Sequence, residues 1–145
     1  MMATCGRGDQ VIVIAPYWVS YIEQAKLAGA TPVVIHTTAE QGYKVTPSQL
    51  TEAITAESRL LILCNPSNPT GALYTKEALE EIAEVWLEML TVTVALIETC
   101  IIARIFTSGL DQVVKSHPRL LVLADEIYDE LLYDGAVSLS PLHNI

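Results

Sequence analysis

The sequence predicts an α/β fold, a mostly parallel sheet with helices on both faces. Three features carry this expectation. Short apolar runs recur along the chain, "QVIVIA", "TPVVIHT", "RLLILC" and "RLLVLA". The last two are unbroken by polar residues, the pattern of strands covered on both faces rather than on one. Between the runs lie segments with helical spacing, and strands alternating with helices build parallel sheets through crossover connections.

Taken in order, "DQVIVIA" is the first strand and Tyr17 to Leu27 a helix closed by Gly29. "TPVVIHT" follows as a strand, and "TPSQLTEAIT" as a short helix starting near Pro47. "RLLILC" is the third strand. Behind it "NPSNPTG" is a stiff loop, because each proline fixes its own φ and holds Asn65 or Asn68 in extended geometry. Gly71 gives the freedom to turn out of it, and the Asn68–Pro69 bond is a candidate for the cis form. Thr75 is placed to cap a helix whose Leu79, Ile82, Ala83, Trp86 and Leu90 recur at helical spacing. "RLLVLA" then leads to Asp125.

Composition removes several classes of function. A chain of 145 residues reads as one domain. With 17 acidic against 8 basic residues and a net charge of −9, it repels phosphate backbones and offers no basic stripe, so no nucleic-acid partner is expected. Three cysteines, Cys5, Cys64 and Cys100, lack metal-ligand spacing, and no metal site is expected. His36, His117 and His143 are read as structural or solvated. The N-terminus "MMATCGRGDQ" has no apolar signal core, and the soluble, reducing compartments fit best.

One region breaks the alternation. From Val85 apolar residues appear on every side, and "TVTVALIETCIIARIF" is rich in β-branched residues. Glu88, Glu98 and Arg104 argue against a membrane span, since a central charge costs roughly 2.5 to 3.5 kcal/mol on insertion scales. Deleting Val85 to Gln112 joins Glu84 to Val113 and restores "EEIAEVVKSHPRLLVLADEIY". Valine codons begin with GT and one glutamine codon is CAG, the consensus ends of a spliceosomal intron. Residues 85–112 are therefore read as an aberrant insertion, a retained intron or an extra buried hairpin.

The candidate chemistry lies where three strands end. "PYWVSY" follows the first, "NPSNPTG" the third and "DEIYDELLY" the fourth, and ligands of open α/β sheets bind in the crevice at the carboxyl ends of strands. Asp125, at the end of an apolar run, needs a cation or several donors. A protonated ring nitrogen of a bound cofactor is one such cation. Trp18 offers a face for stacking and Asn68 an amide that can donate. Singly, each has a plainer reading: Trp18 and Tyr128 as core aromatics, Asp125 as a helix N-cap, the loop as a structural turn. Tyr17 and Asn65 are read as scaffold.

The combination of "PYW", "NPSNPTG" and "DEIY" resembles the fold type I, class I pyridoxal-phosphate aminotransferases, nearest the aspartate/prephenate branch. The resemblance covers nearly the whole chain outside residues 85–112 and implies that residues 1–145 are part of the pyridoxal-phosphate-binding large domain. It implies that Trp18 stacks on the pyridoxal phosphate ring and that Asn68 bonds its phenolic oxygen and helps hold the substrate. Asp125 would pair with the pyridinium nitrogen, and Tyr128 would bond the phenolic oxygen. Substrates would be an amino acid of the aspartate or glutamate type and a keto acid, and the full-length form a homodimer. A plant or algal origin would imply plastid stroma, otherwise cytoplasm.

No catalytic residue is assigned. The family's Schiff-base lysine sits in a Ser-Lys context downstream of the Asp-x-x-Tyr motif, and Lys26, Lys44, Lys76 and Lys115 do not match that setting. Such a lysine is the positioned base for the proton shift. The alternatives are a non-catalytic fragment or pseudoenzyme and a Rossmann-type nucleotide binder. Against the latter stands the lack of GxGxxG after the first strand.

Overall fold

The computed structural model describes residues 1–79, 81–82 and 120–136. Its elements run β1 (Gln10–Ala15), α1 (Ser20–Leu27), β2 (Thr31–His36), α2 (Pro47–Ala53), β3 (Ser58–Cys64) and β4 (Leu121–Asp125). Residues 76–79 and 81–82 are helical as well. The four strands form one sheet in the order β2-β1-β3-β4. Every pairing is parallel, so all four carboxyl ends share one edge.

Alternating side chains of the central strands feed two cores. Ile12, Leu61 and Leu63 point to one face, where Leu50 of α2 and Leu79 and Ile82 of the following helix cover them. Val11, Val13, Leu60 and Ile62 point to the other, where Tyr21 and Ala25 of α1 pack. Val11, Ile12 and Leu50 are wholly buried. The doubly covered parallel sheet foreseen from the unbroken apolar runs is thus present among the described residues.

The helix ends follow local chemistry. Thr46 and Gln49 form a capping box before α2: the Thr46 hydroxyl accepts the Gln49 amide at 3.3 Å, and Gln49 Oε1 accepts the Thr46 amide at 3.0 Å. Gln49 Nε2 also donates to the His36 carbonyl at 3.0 Å, tying α2 to the end of β2. Helix α1 closes on Gly29 at φ +81°, with Ala30 and Gly29 donating back to the Ala25 and Lys26 carbonyls. It opens at Ser20, three residues later than the expected Tyr17. The intervening chain turns first, the Tyr21 amide bonding the Trp18 carbonyl, and Val19 supplies no side-chain cap. The reading of residues 85–112 lies outside the described residues, as do Cys100, His117 and His143.

Candidate functional site

Three connections leave the same sheet edge side by side. Cys64 and Asp125 are register partners at the ends of β3 and β4, and Ala15 ends β1 beside them. The Asn65 amide extends the ladder by donating to the Asp125 carbonyl at 2.9 Å.

The β3 loop is built as a rigid bracket. Asn65, 7% exposed, accepts the Tyr74 amide on Oδ1 at 3.0 Å, closing the loop on itself. Ser67 donates its amide to the Ala72 carbonyl, and Gly71 at φ +68° donates back to the Ser67 carbonyl. The buried Tyr74 hydroxyl accepts the Val45 amide at 2.8 Å and so pins the loop to the chain ahead of α2. Burial pushes this phenol up to about 12, against the lowering effect of the Val45 amide. The scaffold role expected for Asn65 has this geometry. Asn65–Pro66 and Asn68–Pro69 are both cis, as is Ala15–Pro16.

Asn68, in contrast, is half-buried, and its side-chain amide makes no hydrogen bond among the described residues. Its backbone amide donates to the Cys64 sulfur at 3.3 Å, which holds the residue over the end of β3. Burial raises the Cys64 thiol above its ordinary value, with the Asn68 amide opposing the shift.

At the end of β4 the expected need of Asp125 for partners is met by two neutral donors. The Tyr21 hydroxyl donates to Oδ2. The Ile127 amide donates to Oδ1 at 3.3 Å. Tyr21 was not singled out from sequence, and its aromatic spacing with Trp18 at i, i+3 was the available signal. Burial, then the bond to Asp125, raises the Tyr21 phenol so that it stays protonated. The Trp18 and Tyr21 rings meet edge to face, centroids 5.7 Å apart and planes at 87°, and Trp18 remains 44% exposed.

Trp18, Tyr21 and Asp125 therefore form one connected array, with the Asn68 backbone joined to the neighbouring Cys64. Tyr128 sits half-buried in the turn after β4, its carbonyl accepting the Leu131 amide at 2.9 Å. Its side chain contacts none of the other three by hydrogen bond or ring stacking among the described residues. A cavity at this edge is lined by Pro16, Tyr17, Tyr21, Cys64, Ser67 and Tyr74 with parts of β1 and β3, and by none of Trp18, Asn68, Asp125 and Tyr128. Trp18, Asn68 and Tyr128 lie in the connections that follow β1, β3 and β4, and Asp125 is the last residue of β4.

The described residues contain no group of three or more His, Cys, Asp or Glu side chains placed to hold a metal. No helix among them is long and apolar enough to cross a membrane.

The chain has clear relatives. It is 42% identical over 140 residues to the bifunctional aspartate aminotransferase and glutamate/aspartate-prephenate aminotransferase of Petunia hybrida, covering 97% of this chain and 23% of that protein. It is 43% identical over 130 residues to the aspartate aminotransferase of Bacillus sp. strain YM-2, covering 90% and 26%. Among solved structures, the aspartate aminotransferase from Rhizobium meliloti superposes with a TM-score of 0.73 at 30% identity, over 97% of this chain and 28% of that one. The aspartate aminotransferase from Thermus thermophilus with maleate gives 0.70 at 34% identity, over 97% and 29%. The chain thus spans about a quarter of the length of the curated relatives it matches. Residues 1–94 match the family described as aminotransferase class I and II, and the chain belongs to that family.

Proposed function

We propose that this chain forms part of the cofactor-binding large domain of a pyridoxal-phosphate-dependent aminotransferase that moves an amino group between an aspartate- or glutamate-type amino acid and a keto acid. The observation that carries this reading is the Asp125 carboxylate at the carboxyl edge of the sheet. It is held by two neutral donors and joined through Tyr21 to a half-exposed indole.

The chemistry of the residues at this edge supports the reading. Both Asp125 oxygens accept from uncharged groups, which leaves the negative charge uncompensated by any cation among the described residues and a lone pair open to a cationic ring N–H. Trp18 presents an indole face to a flat heteroaromatic. The Asn68 amide is available to donate to a phenolic oxygen or a substrate carboxylate, and the Tyr128 hydroxyl to the same phenolic oxygen.

Bound pyridoxal phosphate supplies an electron sink for the substrate's α-carbon. The chain's own residues hold and orient it. Asp125 keeps the ring nitrogen protonated by placing a negative charge against it. Trp18 fixes the ring plane, and the bracket built by Asn65, Ser67 and Tyr74 fixes where Asn68 stands. Among the described residues Lys26 bonds Glu23 at 2.8 Å on the outer surface of α1, so it is not the group that moves the substrate proton. In the full-length protein that role belongs to a lysine in a Ser-Lys setting, and the active form is a homodimer in a soluble compartment, plastid stroma for a plant or alga.

Amino-group transfer from aspartate to oxoglutarate by the full-length protein with pyridoxal phosphate tests the reading. Glutamate formation that falls at least tenfold in Asp125→Asn supports it. Absence of transfer from any dicarboxylic amino acid by the wild type overturns it.

A further inference from the structure

The Tyr21 side chain meets partners from different parts of the chain, with the Cys64 thiol beside its hydroxyl. Its hydroxyl crosses from the start of α1 to Asp125, 104 residues away, and its ring edge meets Trp18. Tyr21 is 4% exposed while Trp18 is 44% exposed, so the phenol lies behind the surface that the indole presents.

We propose that Tyr21 is a positioning residue for ring-nitrogen recognition, its hydroxyl turning Asp125 so that one carboxylate lone pair faces the heteroaromatic nitrogen of the cofactor. This rests on the pyridoxal-phosphate reading above. A carboxylate at a strand end rotates about two side-chain bonds. Two donors on two different oxygens, Tyr21 on Oδ2 and Ile127 on Oδ1, fix that rotation. The Ile127 bond is long at 3.3 Å and comes from an adjoining backbone amide, so it restrains the carboxylate less than the phenol does. Burial and the neighbouring carboxylate keep the phenol in its neutral, donating form.

The edge-to-face contact gives the same side chain a hold on Trp18. Removing the hydroxyl alone leaves that ring contact in place, which separates the two effects.

The test uses two ligands that form no covalent bond: pyridoxamine 5′-phosphate and its analogue with the ring nitrogen replaced by C–H. Dissociation constants are measured for the full-length wild type and Tyr21→Phe. The variant is expected to bind pyridoxamine phosphate about tenfold more weakly, as loss of a hydrogen bond to a charged group implies. It is expected to bind the carbon analogue within about twofold of wild type, because Asp125 has no nitrogen to meet there. Retained binding of the analogue shows that the site is assembled in the variant. Equal weakening of both ligands makes Tyr21 a packing residue and overturns the proposal, as does an unchanged constant for pyridoxamine phosphate. If the wild type itself fails to prefer the nitrogen-bearing ligand, the reading of Asp125 falls, and this inference with it.

Discussion

Replacing each asparagine of the β3 loop by alanine separates the scaffold role of one from the proposed ligand-binding role of the other. Asn65 Oδ1 is the acceptor for the Tyr74 amide at 3.0 Å, and both residues are buried, 7% and 3% exposed. Asn65→Ala strands a buried donor, which costs about 1 to 3 kcal/mol. The backbone bond from residue 65 to the Asp125 carbonyl survives the change, so a loss of about 2 kcal/mol is expected, a factor of about 30 in the folding constant. In urea, with a slope near 2 kcal/mol per molar, the unfolding midpoint drops by about 1 M. Asn68 lies only three residues on, yet its side chain bonds nothing among the described residues, so Asn68→Ala moves the midpoint by no more than about 0.25 M. On the proposed role of Asn68, the same variant is expected to weaken pyridoxal phosphate binding. Equal destabilisation by the two substitutions, or a silent Asn65→Ala, refutes the division of labour.

Two further outcomes follow from local chemistry. The Tyr74 phenol, raised from 10 to about 12 in the folded chain, binds its proton more tightly there than when unfolded. Its contribution is complete below pH 10 and is lost as pH rises through 12, about 3 kcal/mol in all, and a Tyr74→Phe chain lacks this alkaline loss when unfolding is followed against pH. Thr46→Ala removes one half of the capping box and costs about 1 kcal/mol of stability, measured by thermal unfolding.

The sheet was legible because apolar residues run on without alternation inside its strands, Val11–Ala15 of β1 and Leu60–Cys64 of β3, and buried strands need no alternation. Helix α2 was equally legible, since Thr46, Pro47 and Gln49 are an N-terminal signature. The start of α1 was not, because a turn bonded from Tyr21 to Trp18 shares its spacing with a helix. Asp125 was visible as a charge in need of partners, but Tyr21 as its donor was not. That contact spans 104 residues and depends on β1, β3 and β4 lying in register, which no local pattern encodes. The contact of Cys64 with Asn68 was hidden for a similar reason: the bond from the Asn68 amide arises only once the proline-stiffened loop folds back on the strand end.

In the proposed function, Asp125 holds a positively charged heteroaromatic at the carboxyl edge of the sheet. Nitrogen-15 resonance of ring-labelled pyridoxal phosphate bound to the full-length protein tests it most directly. A protonated ring nitrogen is expected at neutral pH in the wild type and an unprotonated one in Asp125→Asn. An unprotonated nitrogen in the wild type, or a protonated one that ignores the substitution, would contradict it.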